Sequence, residues 1–128
     1  LKLAALSAVP APLWAARTAF AQGAAQTLQF AAPVPMSGPF AANGKYGDLG
    51  MKLAIAQYGK VLGRPLAYTT LDTEGQPAVA VRRMQEFTQQ KGGHYFAGGI
   101  LSSEALAMSK EAQKDGSLFI TTAGADEI

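Results

Sequence analysis

The stretch Tyr95-Phe96-Ala97-Gly98-Gly99-Ile100-Leu101-Ser102-Ser103-Glu104 decides how the rest of the chain is read. Its first residues have the aromatic and apolar character of a buried strand end. Two glycines then permit a tight turn, and Ser102, Ser103 and Glu104 suit the first turn of a helix, either serine being a candidate cap. Such a junction leaves backbone N–H groups and the positive end of the helix dipole facing one point. That arrangement suits a carboxylate or another small anion.

Working outward, the same strand–turn–helix unit recurs. Residues 27–34 read as a first strand, with Pro33 a mild objection to a central position. A turn-rich loop follows, containing Pro35-Met36-Ser37-Gly38-Pro39-Phe40, and the expected first helix runs from Tyr46 to Tyr58. Its apolar stripe is Met51, Ala54, Ile55 and Tyr58, and Gly59 stops it. Leu62-Gly63-Arg64-Pro65 is a tight connection into a second strand over 66–71. Pro77 fits the first position of a second helix reaching Lys91, with Ala80, Met84 and Phe87 inward and Gly92-Gly93 ending it. The third strand spans 94–97, the third helix runs from about Ser103 to Gly116, and the fourth strand covers 117–122. The order β-α-β-α-β-α-β demands a parallel sheet with right-handed crossovers, hence a doubly wound α/β layer structure. Ligands bind such sheets at the carboxyl ends of the strands, beside the helix N-termini.

Residues 1–21 have a different character. Leu3 to Ala16 is an apolar run interrupted only by Ser7, and Ala19-Phe20-Ala21 has the small residues of a processing site. Pro10 and Pro12 argue against a buried helix. The expectation is an export signal, clipped at its start and cut after Ala21. Leu1-Lys2 is also what would follow a twin-arginine pair. Of 11 Lys+Arg in the chain, Lys2 and Arg17 belong to this segment, which leaves 11 − 2 = 9 basic against 9 acidic residues in 22–128. A neutral remainder offers no electrostatic case for nucleic acid or an anionic membrane surface. Cysteine is absent, which removes disulfides, thiolate metal sites and thiol nucleophiles together.

Catalytic signatures are lacking. The sole histidine, His94, opens a strand at the end away from the ligand loops, and there is no Gly-x-Ser-x-Gly elbow or metal-ligand spacing. Gly44-x-x-Gly47-x-x-Gly50 matches neither phosphate-binding pattern. Asp72 and Glu74 are assigned a structural role, since acids after a strand commonly cap the next helix or face solvent. What remains is a non-covalent binding site with no cofactor and no metal.

Several segments together carry a resemblance: Pro35 to Gly44, Val61 to Leu66, Asp72 to Pro77, Gly98 to Ser103, and Thr122 to Ile128. In this order and spacing the chain resembles the exported substrate-binding proteins of branched-chain amino-acid-type ABC transporters. The resemblance implies two α/β lobes of the type I periplasmic binding fold, closing on a ligand. Residues 22–128 would then form part of the first lobe. It further implies that Ser102 or Ser103 holds a ligand carboxylate, that Ala123 and Ala125 supply groups for an α-ammonium, and that Tyr46 covers the ligand. Where a threonine is common in that family, this chain has Ala125, which leaves room for carboxylates without an amine, or for amides and urea. The implied partners are a small amino acid, organic acid or amide and a membrane permease, in the periplasm. A ligand-sensing receptor or regulator of the same fold is the alternative, and an enzyme lacks a general base.

Overall fold

A computed structural model describes residues 26–124. The expected export signal and Ala125 lie outside the described residues. Eight elements follow one another: β1 (Leu28–Val34), α1 (Ala41–Tyr58), β2 (Lys60–Val61), β3 (Arg64–Asp72), α2 (Pro77–Lys91), β4 (Tyr95–Gly98), α3 (Ser102–Asp115) and β5 (Leu118–Thr121). The sheet order is β2-β3-β1-β4-β5. All pairings are parallel except β2 with β3, a short antiparallel hairpin in which Lys60 faces Pro65 and Val61 faces Arg64. The expected parallel α/β layers are therefore present, forming an incomplete lobe of a periplasmic-binding-protein fold.

Two elements differ from the sequence reading. The hairpin was not expected: Leu62-Gly63 reverses the chain with both residues at positive φ, so Arg64 and Pro65 join the third strand early. The first helix starts at Ala41 rather than Tyr46, which brings Gly44 inside it. Glycine is a poor helix former in isolation, so tertiary contact overrides propensity here. A Cβ on Gly44 would lie 1.7 Å from the Pro35 carbonyl oxygen, so only glycine lets α1 settle against the end of β1.

Pro33 occupies the central strand after all. Its carbonyl accepts the Gly99 N–H at 2.9 Å, so its missing N–H faces the β4 side, beyond the last paired residues of that ladder, Ala31 and Phe96. The lost donor falls where the ladder has already ended.

The core lies between the sheet and α2 and α3. Ala80, Met84 and Phe87 point inward as their spacing predicts, and they meet Ala31, Phe96, Met108 and Ala112. Phe87 and Phe96 pack edge to face with centroids 5.6 Å apart. Left-handed glycines at 92 and 116 end α2 and α3.

The opposite sheet face is only partly covered by α1. Its stripe of Met51, Ala54, Ile55 and Tyr58 borders an open apolar groove of about 640 Å³, floored by Phe30, Tyr95, Leu118 and Ile120. A buried polar tie anchors the helix instead. Asp48, 5% exposed, accepts hydrogen bonds from Tyr68 Oη at 2.8 Å, Lys52 Nζ at 2.6 Å and Thr70 Oγ1.

Candidate functional site

Four loops meet at the carboxyl ends of the parallel strands: 35–40, 73–76, 99–101 and 122–124. None contains Lys or Arg. An anion at this edge would be held by amide dipoles and hydroxyls rather than by a cation.

The turn after β4 is built on backbone proximity. A Cβ on Gly98 would stand 2.4 Å from the Pro33 oxygen, and Gly99 has a φ of 76°. Chain direction changes there, and α3 begins at Ser102 with Leu101 as its flanking residue. The first N–H to reach an intrahelical carbonyl is that of Ala105, which donates to Leu101 O at 2.9 Å. The amides of Ser102, Ser103 and Glu104 are therefore left for an external acceptor, as at any helix start.

Neither serine caps the helix through its side chain, contrary to the sequence expectation. Ser102 lies one position and Ser103 two positions past the flanking residue Leu101, inside the first turn. Ser102 Oγ instead donates to Gly124 O at 2.8 Å, strapping the start of α3 to the loop after β5. Ser103 is exposed. Glu104 is fully buried, and its carboxylate oxygens meet no hydrogen-bond partner among the described residues. The positive end of α3 is the compensation its position offers.

Ala123 is half-buried in the loop after β5. Its N–H donates to Thr121 Oγ1 at 3.1 Å, and its carbonyl meets no hydrogen-bond partner among the described residues. Ser102 and the 122–124 loop are thus brought together. Tyr46 sits on α1 rather than in a loop, and its side chain is 77% exposed. Its neighbour Gly47 runs close to Ile100, so this part of α1 borders the turn after β4.

Two side chains tie loops together through long-range bonds that the sequence reading did not show, one of them Asp72, whose structural role was expected. Asp72 Oδ1 accepts the N–H groups of Met36 at 2.8 Å, Ser37 at 3.3 Å and Glu74 at 2.9 Å. It ties the first loop to the second and does not cap α2, whose flanking residue is Gln76. Burial pushes the Asp72 carboxyl up, but the hydrogen bonds from Glu74, Ser37 and Met36 overcome it and hold the group below the usual carboxylate range. The Glu74 contact is a local Asx turn, legible in Asp-x-Glu-Gly; the reach to Met36 has no local signal. Thr121 is the second, and its hydroxyl also donates to Gly99 O at 3.1 Å.

His94 stands at the opposite end of the sheet, with Nδ1 3.1 Å from Ser117 Oγ. No cluster of three or more potential metal-ligating side chains occurs among the described residues. No described helix is long and apolar enough to cross a membrane.

Residues 27–127 match the family model described as periplasmic binding protein. No curated protein matches the chain by sequence. Among solved structures, an amino acid ABC transporter substrate-binding protein from Pseudomonas fluorescens Pf-5 is 50% identical. It superposes with a TM-score of 0.77 over 82% of this chain and 28% of its own. A periplasmic binding protein from Burkholderia mallei is 30% identical, with a TM-score of 0.73 over 80% of this chain and 28% of its own. A solute-binding protein of an ABC transporter from Rhodopseudomonas palustris BisB5, in complex with 3,4-dihydroxybenzoic acid, is 28% identical. Its TM-score is 0.71 over 76% of this chain and 27% of its own. The chain thus spans less than a third of the length of these relatives, which are described as substrate- or solute-binding proteins of ABC transporters or as a periplasmic binding protein. With its layer order, its glycine turn and its match along almost every described residue, the chain belongs to the periplasmic binding protein family.

Proposed function

We propose that this chain forms one wall of a cleft in an exported solute-binding protein. The cleft reversibly captures an amino acid or a related small carboxylate or amide and delivers it to an ABC membrane permease. The observation that carries the reading is the start of α3: free amides at Ser102 to Glu104, two serine hydroxyls, and no competing cation in any neighbouring loop. A carboxylate placed there gains charge-assisted hydrogen bonds and the helix dipole. The Ala123 carbonyl and the Ala125 segment take an ammonium where the solute has one, and Tyr46 shields it from α1. The relatives favour both solute types, one being a substrate-binding protein of an amino acid transporter and another holding a dihydroxybenzoate. The export signal cut after Ala21 and a periplasmic location complete the reading.

Calorimetric titration of the intact protein with the proteinogenic L-amino acids, benzoate and 3,4-dihydroxybenzoate tests it. At least one should bind. Replacing Ser102 and Ser103 together by Ala should weaken that binding by about 1–3 kcal/mol, the scale of polar contacts left unmade. Unchanged affinity in the double variant would remove these serines from the site.

A further inference from the structure

We propose that Thr121 is the positioning residue that holds the two loops of this site in register while ligand is bound. The inference rests on the proposed function above. Thr121 closes β5, opposite Gly98 in the parallel ladder. Its hydroxyl donates to Gly99 O at 3.1 Å and accepts the Ala123 N–H at 3.1 Å. One hydroxyl thus joins the turn that starts α3 to the loop after β5, using its donor and one of its acceptor positions. The fit is close: a Cβ on Gly99 would lie 3.3 Å from Thr121 Oγ1 and 2.9 Å from Met108 Cε.

A second strap spans the same two loops, the bond from Ser102 Oγ to Gly124 O. A serine hydroxyl has one proton, so Ser102 cannot donate to Gly124 and to a ligand carboxylate at once. When Ser102 turns to the ligand, its strap is released. Among the described residues Thr121 is then the one side chain still bonding the 99–101 turn to the 122–124 loop. It also keeps the Ala123 N–H satisfied, so that the carbonyl is the group this residue presents. Thr121 does not touch the ligand in this scheme; it acts through Gly99 and Ala123.

The test compares Thr121→Val, which keeps the shape and loses the hydroxyl, with Thr121→Ser, which keeps the hydroxyl. Both are made in the intact protein. Affinity is measured with the best-bound probe among L-amino acids, benzoate and 3,4-dihydroxybenzoate, and amide exchange is followed at Ala123. Thr121→Val should bind about tenfold more weakly and exchange faster at Ala123, whereas Thr121→Ser should stay within about twofold of the parent in both. Wild-type affinity in Thr121→Val, or equal loss in both variants, would overturn the proposal, the second result assigning the effect to the methyl group. If the parent protein binds none of these probes, the functional reading falls. The loop tie is then judged by Ala123 exchange alone, and unchanged exchange in Thr121→Val overturns it too.

Discussion

Three glycines at intervals of three residues in α1 make a stringent test, because the fold assigns them different surroundings. Alanine in a helix interior is about 1 kcal/mol better than glycine when nothing else changes. At Gly50 nothing lies within 4 Å of a new Cβ, and at Gly47 the nearest atoms, on Val34 and Ile100, are 3.8 and 3.9 Å away. Both substitutions should therefore stabilise α1 by roughly 1 kcal/mol. At Gly44 the new Cβ would fall 1.7 Å from the Pro35 oxygen, against an ordinary carbon–oxygen contact of about 3.3 Å. Backbone meets backbone, so no rotamer relieves the overlap. The helix must retreat by roughly 1.6 Å, and overpacking of this kind costs about 1–3 kcal/mol. The propensity gain is common to both positions, so Gly44→Ala should come out about 1–3 kcal/mol below Gly50→Ala, and lower in ligand affinity, since the retreat moves the 35–40 loop. Native-state hydrogen exchange on the α1 amides of the intact protein reads this directly as an opening free energy. If Gly44→Ala proved as stable as Gly50→Ala, the close approach of α1 to Pro35 would be refuted, and with it the account of why the helix tolerates these glycines.

Two further outcomes are expected. Burial pushes the Asp48 carboxyl up, but hydrogen bonds from Lys52, Thr70 and Tyr68 and the Lys52 charge together hold it below the usual carboxylate range, as the loop amides do for Asp72. Folded-state values below the unfolded value of about 4 mean that these groups stabilise the protein at neutral pH, and that the contribution is lost as pH falls below about 4 through the folded values. Asp48→Asn should lower stability at pH 7 and flatten its acid limb in urea titrations; an unchanged slope would show that Asp48 is not the group lost. Burial, reinforced by Asp48, pushes the Tyr68 hydroxyl up, so this tie keeps its phenolic proton throughout that range. Separately, residues 22–128 in isolation should self-associate, because Leu118 is 55% and Ile120 58% exposed beside the open apolar groove and β5 is an edge strand. Sedimentation and a concentration series of thermal melts check this, and a cooperative monomeric melt would refute it.

Much of the architecture was legible because local chemistry and tertiary demand agree. The spacing of Ala80, Met84 and Phe87 marks the buried face of α2, Gly59, Gly92 and Gly116 mark helix ends, and parallel pairing follows from strands separated by helices. The stripe on α1 was read correctly as apolar, yet Ala54 and Tyr58 are exposed and the buried positions of that helix are Gly44 and Asp48. Neither residue type signals burial, since one has no side chain and the other carries a charge that burial tolerates only with partners.

The sequence by itself determined the alternation of strands and helices, the glycine turn at 98–99 and the absence of cations around it, because each depends on residues within one turn or one loop. Only the tertiary structure decided that Ser102 straps Gly124 instead of capping its helix, that Asp72 reaches across to Met36, and that Thr121 joins Gly99 to Ala123. The bonds from Ser102 to Gly124, from Met36 to Asp72 and from Thr121 to Gly99 link residues 22 to 36 apart, and a hydroxyl or carboxylate chooses among acceptors and donors only after the sheet has set which loops lie within about 3 Å of it.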